Sequence, residues 1–218
     1  MPDAVIFDLD GVLLDSEQRW NAAKEEVVRD AGGTWLDDAP RRMMGMSSHE
    51  WAAYMRDELR VPLDVEEINR EVVRRMEEGY AAGLPLLPGA LEAVRALAER
   101  WPLGLASSAN REIIDLFGDV AGVGDLFGAV VSSEEVPRGK PAPDVYLAAA
   151  EKLGVAPERC VAIEDSANGL RAAHAAGMTV IAVPNPHYPP DEDALALAAA
   201  TVAIPGEVMP ELVVSVAP

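Results

Sequence analysis

Short apolar runs recur along the chain at Ala4–Leu9, Leu103–Ala106, Ala129–Val131, Cys160–Ile163, Thr179–Val183 and Thr201–Ile204. They are nearly continuous rather than alternating, the pattern of strands buried on both faces of a parallel sheet. Helical patterns lie between most of them. Gly89–Arg100 follows Pro88 and repeats apolar residues at helical spacing. Ala142–Leu153 runs up to Gly154, a residue suited to end a helix, and Ser166–Ala176 opens on a serine suited to cap one. Strands alternating with helices predict right-handed crossovers and an α/β fold with a doubly wound, mostly parallel sheet.

From about Ser16 to Leu84 this rhythm stops. The stretch is rich in Glu, Arg, Met and Ala and offers helix after helix without a strand, and GLPLLPG at 83–89 reads as the return hinge. The expected organisation is therefore a Rossmann-like core from residues 1–15 and 85–218, interrupted by an all-helical insert over 16–84.

In open α/β sheets ligands bind beyond the carboxyl ends of the strands, so polar residues directly after each run are the ones that converge. Asp8 and Asp10 stand at the end of the first run, with Gly11 behind them to permit a tight turn. Ser107 and Ser108 follow the second, Glu164 and Asp165 follow the Cys160 run, and Lys140 sits in RGKPAPD just before a helix. Taken singly, each has an ordinary reading: a solvated loop, a helix cap, a surface lysine, acids favouring a helix dipole. Their joint placement behind successive strands is what points to chemistry. Asp8, Glu164 and Asp165 cannot all stay ionised together without a cation, and an all-oxygen set suits Mg²⁺.

Composition narrows the partners. Of 218 residues, 50% are hydrophobic and 25% charged, as in ordinary globular proteins, but 18 basic against 37 acidic residues give a net charge of −19. Such a chain repels nucleic acid and anionic membrane, so neither is an expected partner, and an anionic substrate needs local neutralisation by a metal or a lysine. Cys160 is the lone cysteine, which excludes an intrachain disulfide. The opening MPDAVIFDLD has no basic region or signal core, and the apolar stretch 194–204 is too short to span a bilayer. The expectation is a monomeric cytoplasmic protein.

The four clusters together resemble the haloacid dehalogenase superfamily, in particular its phosphatases with a helical cap inserted after the first motif. FDLDGVLLDSE is similar to the first motif, LASS to the second, GKPAPDVY to the third and IEDSANG to the fourth. DSEQRW, LLPGA, GLASS and AIEDSANG are similar to the branch holding beta-phosphoglucomutase and the hexose- and hexitol-phosphate phosphatases. The resemblance implies that Asp8 is a nucleophile forming an aspartyl-phosphate, and that Asp10 is the general acid and then the general base. It implies that Ser107 and Lys140 hold the transferring phosphoryl group, with backbone amides near Ser108 and Ala109 cradling its oxygens. Mg²⁺ would be held by Asp8, the carbonyl of Asp10, Asp165 and Glu164. The helical insert would be a mobile cap, with Glu17 and Trp20 as the leading residues for the leaving group; Met43, Met44, Met46, Ser47 and Met76 are further cap positions whose ordinary role is helix packing. The implied function is an Mg²⁺-dependent phosphatase acting on a small sugar or polyol phosphate, a small phosphorylated metabolite.

Two other functions compete. A phosphomutase uses the same aspartyl-phosphate, and a non-catalytic binding protein uses the same fold. The beta-phosphoglucomutase pattern has basic groups where this chain, aligned without gaps, offers Trp20, Ser48 and Met76. Arg74 or Arg75 would have to compensate for a distal phosphate. The full motif set argues against a chain that has lost activity.

Overall fold

The computed structural model describes residues 1–44 and 46–217; Gly45, in the expected insert, and Pro218, at the end of the expected core, lie outside the described residues. Six strands form one parallel sheet: β1 (Ala4–Phe7), β2 (Leu103–Ser107), β3 (Phe127–Ser132), β4 (Cys160–Glu164), β5 (Thr179–Ala182) and β6 (Ala200–Thr201). Their order is β3-β2-β1-β4-β5-β6. The chain winds outward in one direction to β3 and in the other to β6, so the switch in direction falls between β1 and β4, where such sheets open a crevice.

Why the runs are unbroken is visible in their packing. Along β1, Val5 and Phe7 enter one apolar layer while Ala4 and Ile6 enter the other; along β4, Val161 and Ile163 oppose Cys160 and Ala162 in the same way. Successive strand residues point to opposite faces, and here both faces are covered. The strands differ from the predicted ranges at the edges. β3 begins at Phe127, earlier than expected. β6 is only Ala200–Thr201 rather than 201–204, because Pro205 opens a 3₁₀ turn that takes the chain off the sheet.

Helices α1 (Glu17–Asp30), α2 (Ala39–Met43), α3 (Ser48–Asp57) and α4 (Val65–Ala82) occupy the stretch 16–84, with no strand among its described residues. α3 opens on a capping box between Ser47 and Glu50, and α4 on one between Asp64 and Glu67. Their buried faces, including Trp20, Val28, Trp51, Met55, Val72, Met76 and Tyr80, join the Val5/Phe7 layer. That layer is completed by α5 (Ala90–Ala98), α6 (Arg111–Ala121) and, near the end of the chain, α10 (Pro210–Val216). The other layer is closed by α7 (Asp144–Leu153), α8 (Ala167–Ala175) and α9 (Glu192–Leu195). α7 starts two residues later than the apolar pattern predicts because Pro143 pushes Ala142 out of helical geometry. α6 is absent from the sequence expectations: its apolar residues Ile113, Ile114 and Phe117 are buried, but its cap residue Asn110 spends its side chain elsewhere. Among the described residues no helix is long and apolar enough to cross a membrane.

Two polar bridges fasten the insert to the sheet. Ser48 at the start of α3 donates to Glu134 Oε1 at 2.6 Å, and Asn110 Nδ2 donates both to Glu134 Oε1 at 2.8 Å and to Asn69 Oδ1 of α4 at 3.1 Å. The return from the insert is fixed at Gly89, which has φ +75° and lies so close to Gly206 that a Cβ would fall 2.4 Å from the Gly206 Cα. Neither the conformation nor the contact tolerates a side chain. Gly89→Ala is expected to cost about 2–4 kcal/mol, combining left-handed strain with a backbone clash. Urea unfolding of the two proteins measures this, and an unchanged midpoint would show that the segment relaxes freely.

Candidate active site

The site is built at the switch point, from the ends of β1 and β4. Asp8 still donates its N–H to the Ile163 carbonyl at 3.0 Å, so it continues the strand and keeps its side chain on the same face as Ile6. Lys140, buried to 7% exposure, donates from Nζ to Asp8 Oδ1 at 2.6 Å, to the Ala106 carbonyl at 3.1 Å and to Glu164 Oε1. Burial works against its ammonium, yet the carboxylates of Asp8 and Glu164 outweigh that and raise its pKa. The residue is therefore a fixed positive charge joining two strand ends. Tyr146 of α7 supports it, donating to Glu164 Oε1 at 2.9 Å and placing its ring 4.9 Å from Nζ.

Glu164 is saturated. Beyond Lys140 and Tyr146 on Oε1, its Oε2 accepts from Asp165 N–H at 2.9 Å, Ser166 N–H at 3.1 Å and the Ser166 hydroxyl at 3.2 Å. It is wholly buried and does not line the cleft. Oxygens of Asp8, Glu164 and Asp165 all lie within 4.8 Å of one another. Glu164 thus belongs to a cluster that could hold a cation, and its five hydrogen bonds also make it the anchor of Lys140 and of the β4 loop. Asp165 is the opposite case. It lines the cleft, is nine-tenths buried and accepts no side-chain hydrogen bond among the described residues. Burial, then Glu164 and Asp8, push its carboxyl well above the ordinary range. An unpaired buried carboxyl beside a second one is what a hard divalent cation neutralises, so Asp8 and Asp165 fit such an ion. Gly11 is fixed by the same crowding: it has φ +83°, and a Cβ there would meet Asp165 Oδ2 at 2.0 Å.

Asp10 lies apart from that cluster. Ser16 and Trp20 Nε1 both donate to its Oδ1, the latter at 3.0 Å. Both donors fall on one oxygen, so Oδ2 is the position left for a proton. Burial raises the Asp10 pKa, with Ser16 and Trp20 opposing. Trp20, predicted as a leaving-group contact, thus also orients this carboxyl. Glu17 lines the cleft and accepts from Asn21 at 3.2 Å, with its pKa raised by burial. Ser108 and Ala109 line the cleft as well. Ser107 does not: it is fully buried behind them, its Oγ accepting from Ala109 N–H at 3.0 Å. The cleft encloses about 100 Å³, and Met43, Met44 and Met46 contribute to its walls. Met76 is fully buried in the helical packing instead. Arg74 and Arg75 do not face the cleft. Arg74 pairs with Glu71 and Glu78, and Arg75 with Glu71 and Asp30, so neither supplies the missing basic group.

Four lining residues escape the motif reading: Asn185 and Tyr188 after β5, Lys24 on α1 and Trp51 on α3. Lys24 has a recoverable signal, since Glu17, Trp20 and Lys24 recur at helical spacing and share one face. Its Nζ lies 5.6 Å from the Trp20 ring centroid and 5.1 Å from that of Trp51, and burial lowers its pKa to about 8 against the pull of Glu17 and Asp10.

A doubly wound sheet with a helical insert, and an Asp-x-Asp pair, a lysine and an acid pair at its switch point, define a class, and comparison with known proteins agrees. The family model for haloacid dehalogenase-like hydrolases matches residues 2–177. Hexitol phosphatase B of Escherichia coli (strain K12) is 38% identical over 189 residues, covering 84% of both chains. A probable pseudouridine-5'-phosphatase of Drosophila melanogaster is 36% identical over 188 residues, covering 83% of this chain and 81% of its own. The crystal structure of CbbY from Rhodobacter sphaeroides in complex with phosphate superimposes with a TM-score of 0.85 at 28% identity, covering 95% of this chain and 96% of that one. The chain belongs to the haloacid dehalogenase-like hydrolases and is an enzyme of the phosphoric monoester hydrolase type.

The acids of the site set a pH dependence. Asp8, Asp10 and Asp165 have folded pKa values above those of unfolded chains, so the folded state binds more protons, and stability falls as pH rises through their titration. A divalent cation held by this cluster would bind the ionised carboxylates and remove that penalty. The rise in melting temperature produced by Mg²⁺ is therefore expected to be close to zero at pH 5 and several degrees at pH 7.5. Differential scanning calorimetry across that range tests it; a shift independent of pH would mean that the cation binds elsewhere.

Proposed function

We propose that the protein is an Mg²⁺-dependent phosphatase that hydrolyses a small sugar or polyol monophosphate through an aspartyl-phosphate on Asp8. The observation that carries the reading is the division of the Asp-x-Asp pair. Asp8 is tied to a permanent cation, Lys140, through one oxygen, which leaves the other oxygen for attack. Asp10 is partly buried, with both donors on a single oxygen, which suits it to hold a proton on the other. Two carboxyls in unlike environments are what a nucleophile and an acid require.

In the first half-reaction an Asp8 oxygen forms a bond to phosphorus as the bond to the leaving oxygen breaks. The Asp10 proton passes to that oxygen, and the sugar or polyol departs as a neutral alcohol. In the second, Asp10, now a carboxylate, takes a proton from water. The water oxygen bonds to phosphorus, the Asp8–phosphorus bond breaks, and inorganic phosphate is released with both aspartates restored. Lys140 counters charge on the nucleophile throughout, and amides near Ser108 and Ala109 are placed to donate to the phosphoryl oxygens. Mg²⁺ held by Asp8, Asp165 and the Asp10 carbonyl would supply the remaining neutralisation of a dianionic phosphoryl group. Residues 16–84 would act as the cap that keeps bulk water out and selects the leaving group. The names of the relatives, among them a hexitol phosphatase and a phosphorylated carbohydrates phosphatase of Thermotoga maritima, support a polyhydroxylated leaving group.

Asp8→Asn preserves shape and removes the attacking charge. Turnover is expected to fall by at least ~10³-fold, as for removal of a covalent nucleophile. Steady-state phosphate release measures this, and near-normal activity in the variant would sink the assignment.

The mutase is the alternative, and what weighs against it is confined to the three positions at which its pattern carries basic groups and to the two arginines. Trp20 is engaged with Asp10, Ser48 with Glu134, Met76 is buried, and the two arginines pair on another face. Release of phosphate from hexose or polyol monophosphates is expected to exceed conversion of β-glucose 1-phosphate to glucose 6-phosphate. Both products can be followed by ³¹P NMR in one reaction, with and without glucose 1,6-bisphosphate; isomerisation outrunning release would reverse the assignment.

A further inference from the structure

The chain contains only three lysines. Lys152 lies on the surface and pairs with Glu135, and Lys140 is bound into the base of the site. Lys24 is different. It is 7% exposed, lines the cleft, and makes neither a hydrogen bond nor an ion pair with any described residue. Its polar end is flanked by the rings of Trp20 and Trp51, whose centroids stand 6.4 Å apart. Glu17 and Asp10 are near enough to act on it electrostatically, but neither closes to a salt bridge. Asp10 already accepts from Ser16 and Trp20, and Glu17 from Asn21.

An ammonium that is nine-tenths buried with no acceptor is costly to the folded protein. Aromatic faces offset part of the cost without satisfying any of its three donors. An acceptor is therefore missing from the protein itself, and the cleft is the side from which one can arrive. Lys24 sits on the insert, the part of the cleft that faces the leaving group rather than the phosphoryl group held near Lys140.

We propose that Lys24 is a specificity-determining residue that binds an anionic group on the leaving group, so that the preferred substrate is a phosphomonoester carrying a second negative charge, as carboxylate or phosphate, at the end remote from the scissile bond. This rests on the phosphatase reading above and narrows it: a neutral polyol would leave Lys24 unpaired. Charge-assisted bonds in a dry cleft are strong and directional, and one such contact is enough to rank substrates of equal length. Glu17 then serves hydroxyls on the intervening carbons, and its own charge excludes an anion placed closer to the reacting end.

Matched pairs test the assignment. 6-Phosphogluconate differs from glucitol 6-phosphate, and 4-phosphoerythronate from erythritol 4-phosphate, only by a carboxylate in place of a hydroxymethyl group. Fructose 1,6-bisphosphate against fructose 6-phosphate asks the same of a second phosphate. In the unaltered enzyme kcat/KM for the charged member of at least one pair is expected to exceed that for the neutral member by about 10- to 100-fold, mainly through KM. In Lys24→Met and Lys24→Gln that ratio is expected to collapse to near one. The ratio is internal to each protein, so a general loss of folding or activity does not imitate it. A preference for the neutral member in every pair, or a preference that survives both substitutions, overturns the proposal. No phosphate release from any of the six compounds would instead count against the phosphatase reading itself.

Discussion

The contact on which this molecule turns is the buried bridge from Lys140 to Asp8 and Glu164. It joins the ends of two strands that lie side by side in the sheet but 156 positions apart in the chain, as the pairing of Ala4 with Cys160 shows. Two adjacent carboxylates in a dry crevice repel one another. A single ammonium between them makes the crevice tenable, and its position dictates much else. Glu164 is drawn inward and saturated, Tyr146 is recruited from α7, and Asp165 is left unpaired and facing outward. Breaking such a bridge by removing one partner strands a buried charge, so the three residues stand or fall together.

Above this base the insert completes the chemistry from its own first helix. The donors that orient Asp10 come from Ser16 and Trp20, at the start of that helix, while Asp8 is oriented from the core by Lys140. The two aspartates, one residue apart from being neighbours, thus answer to different parts of the molecule. Trp20 is also one wall around Lys24. A single aromatic side chain therefore links the carboxyl suited to hold a proton with the group we propose reads the far end of the substrate.

Much of the architecture is legible in the sequence because it depends on short-range rules. Fully buried parallel strands require unbroken apolar runs, and the polar residues at their ends are easily found for that reason. What escapes is what depends on packing between distant segments. Lys24 shares a helical face with Glu17 and Trp20 but is followed by two glutamates, and its enclosure is seen only once Trp51 is brought from α3. Ser107 and Ser108 are adjacent and chemically alike, and which of them faces the cleft is settled by the last residue of β2 and not by composition. Glu164 reads from the sequence as one of an acid pair, which does not reveal that five hydrogen bonds converge on it. The short β6 follows from Pro205, whose effect on the preceding residues is masked by their apolar character.

The scarcity of lysine has a kinetic side. With a net charge of −19 and two of its three lysines sunk in one cleft, the protein presents a repulsive exterior around a small attractive well. A phosphorylated ligand meets the exterior first, across distances where dissolved ions screen effectively, and the lysines last, where the protein excludes those ions. Added salt should thus quicken the encounter while weakening the final grip very little. This reverses the usual pattern for an enzyme with an anionic substrate, in which long-range attraction steers the ligand in and salt slows it. Selection among anions in such a molecule happens at the point of contact and not on the approach.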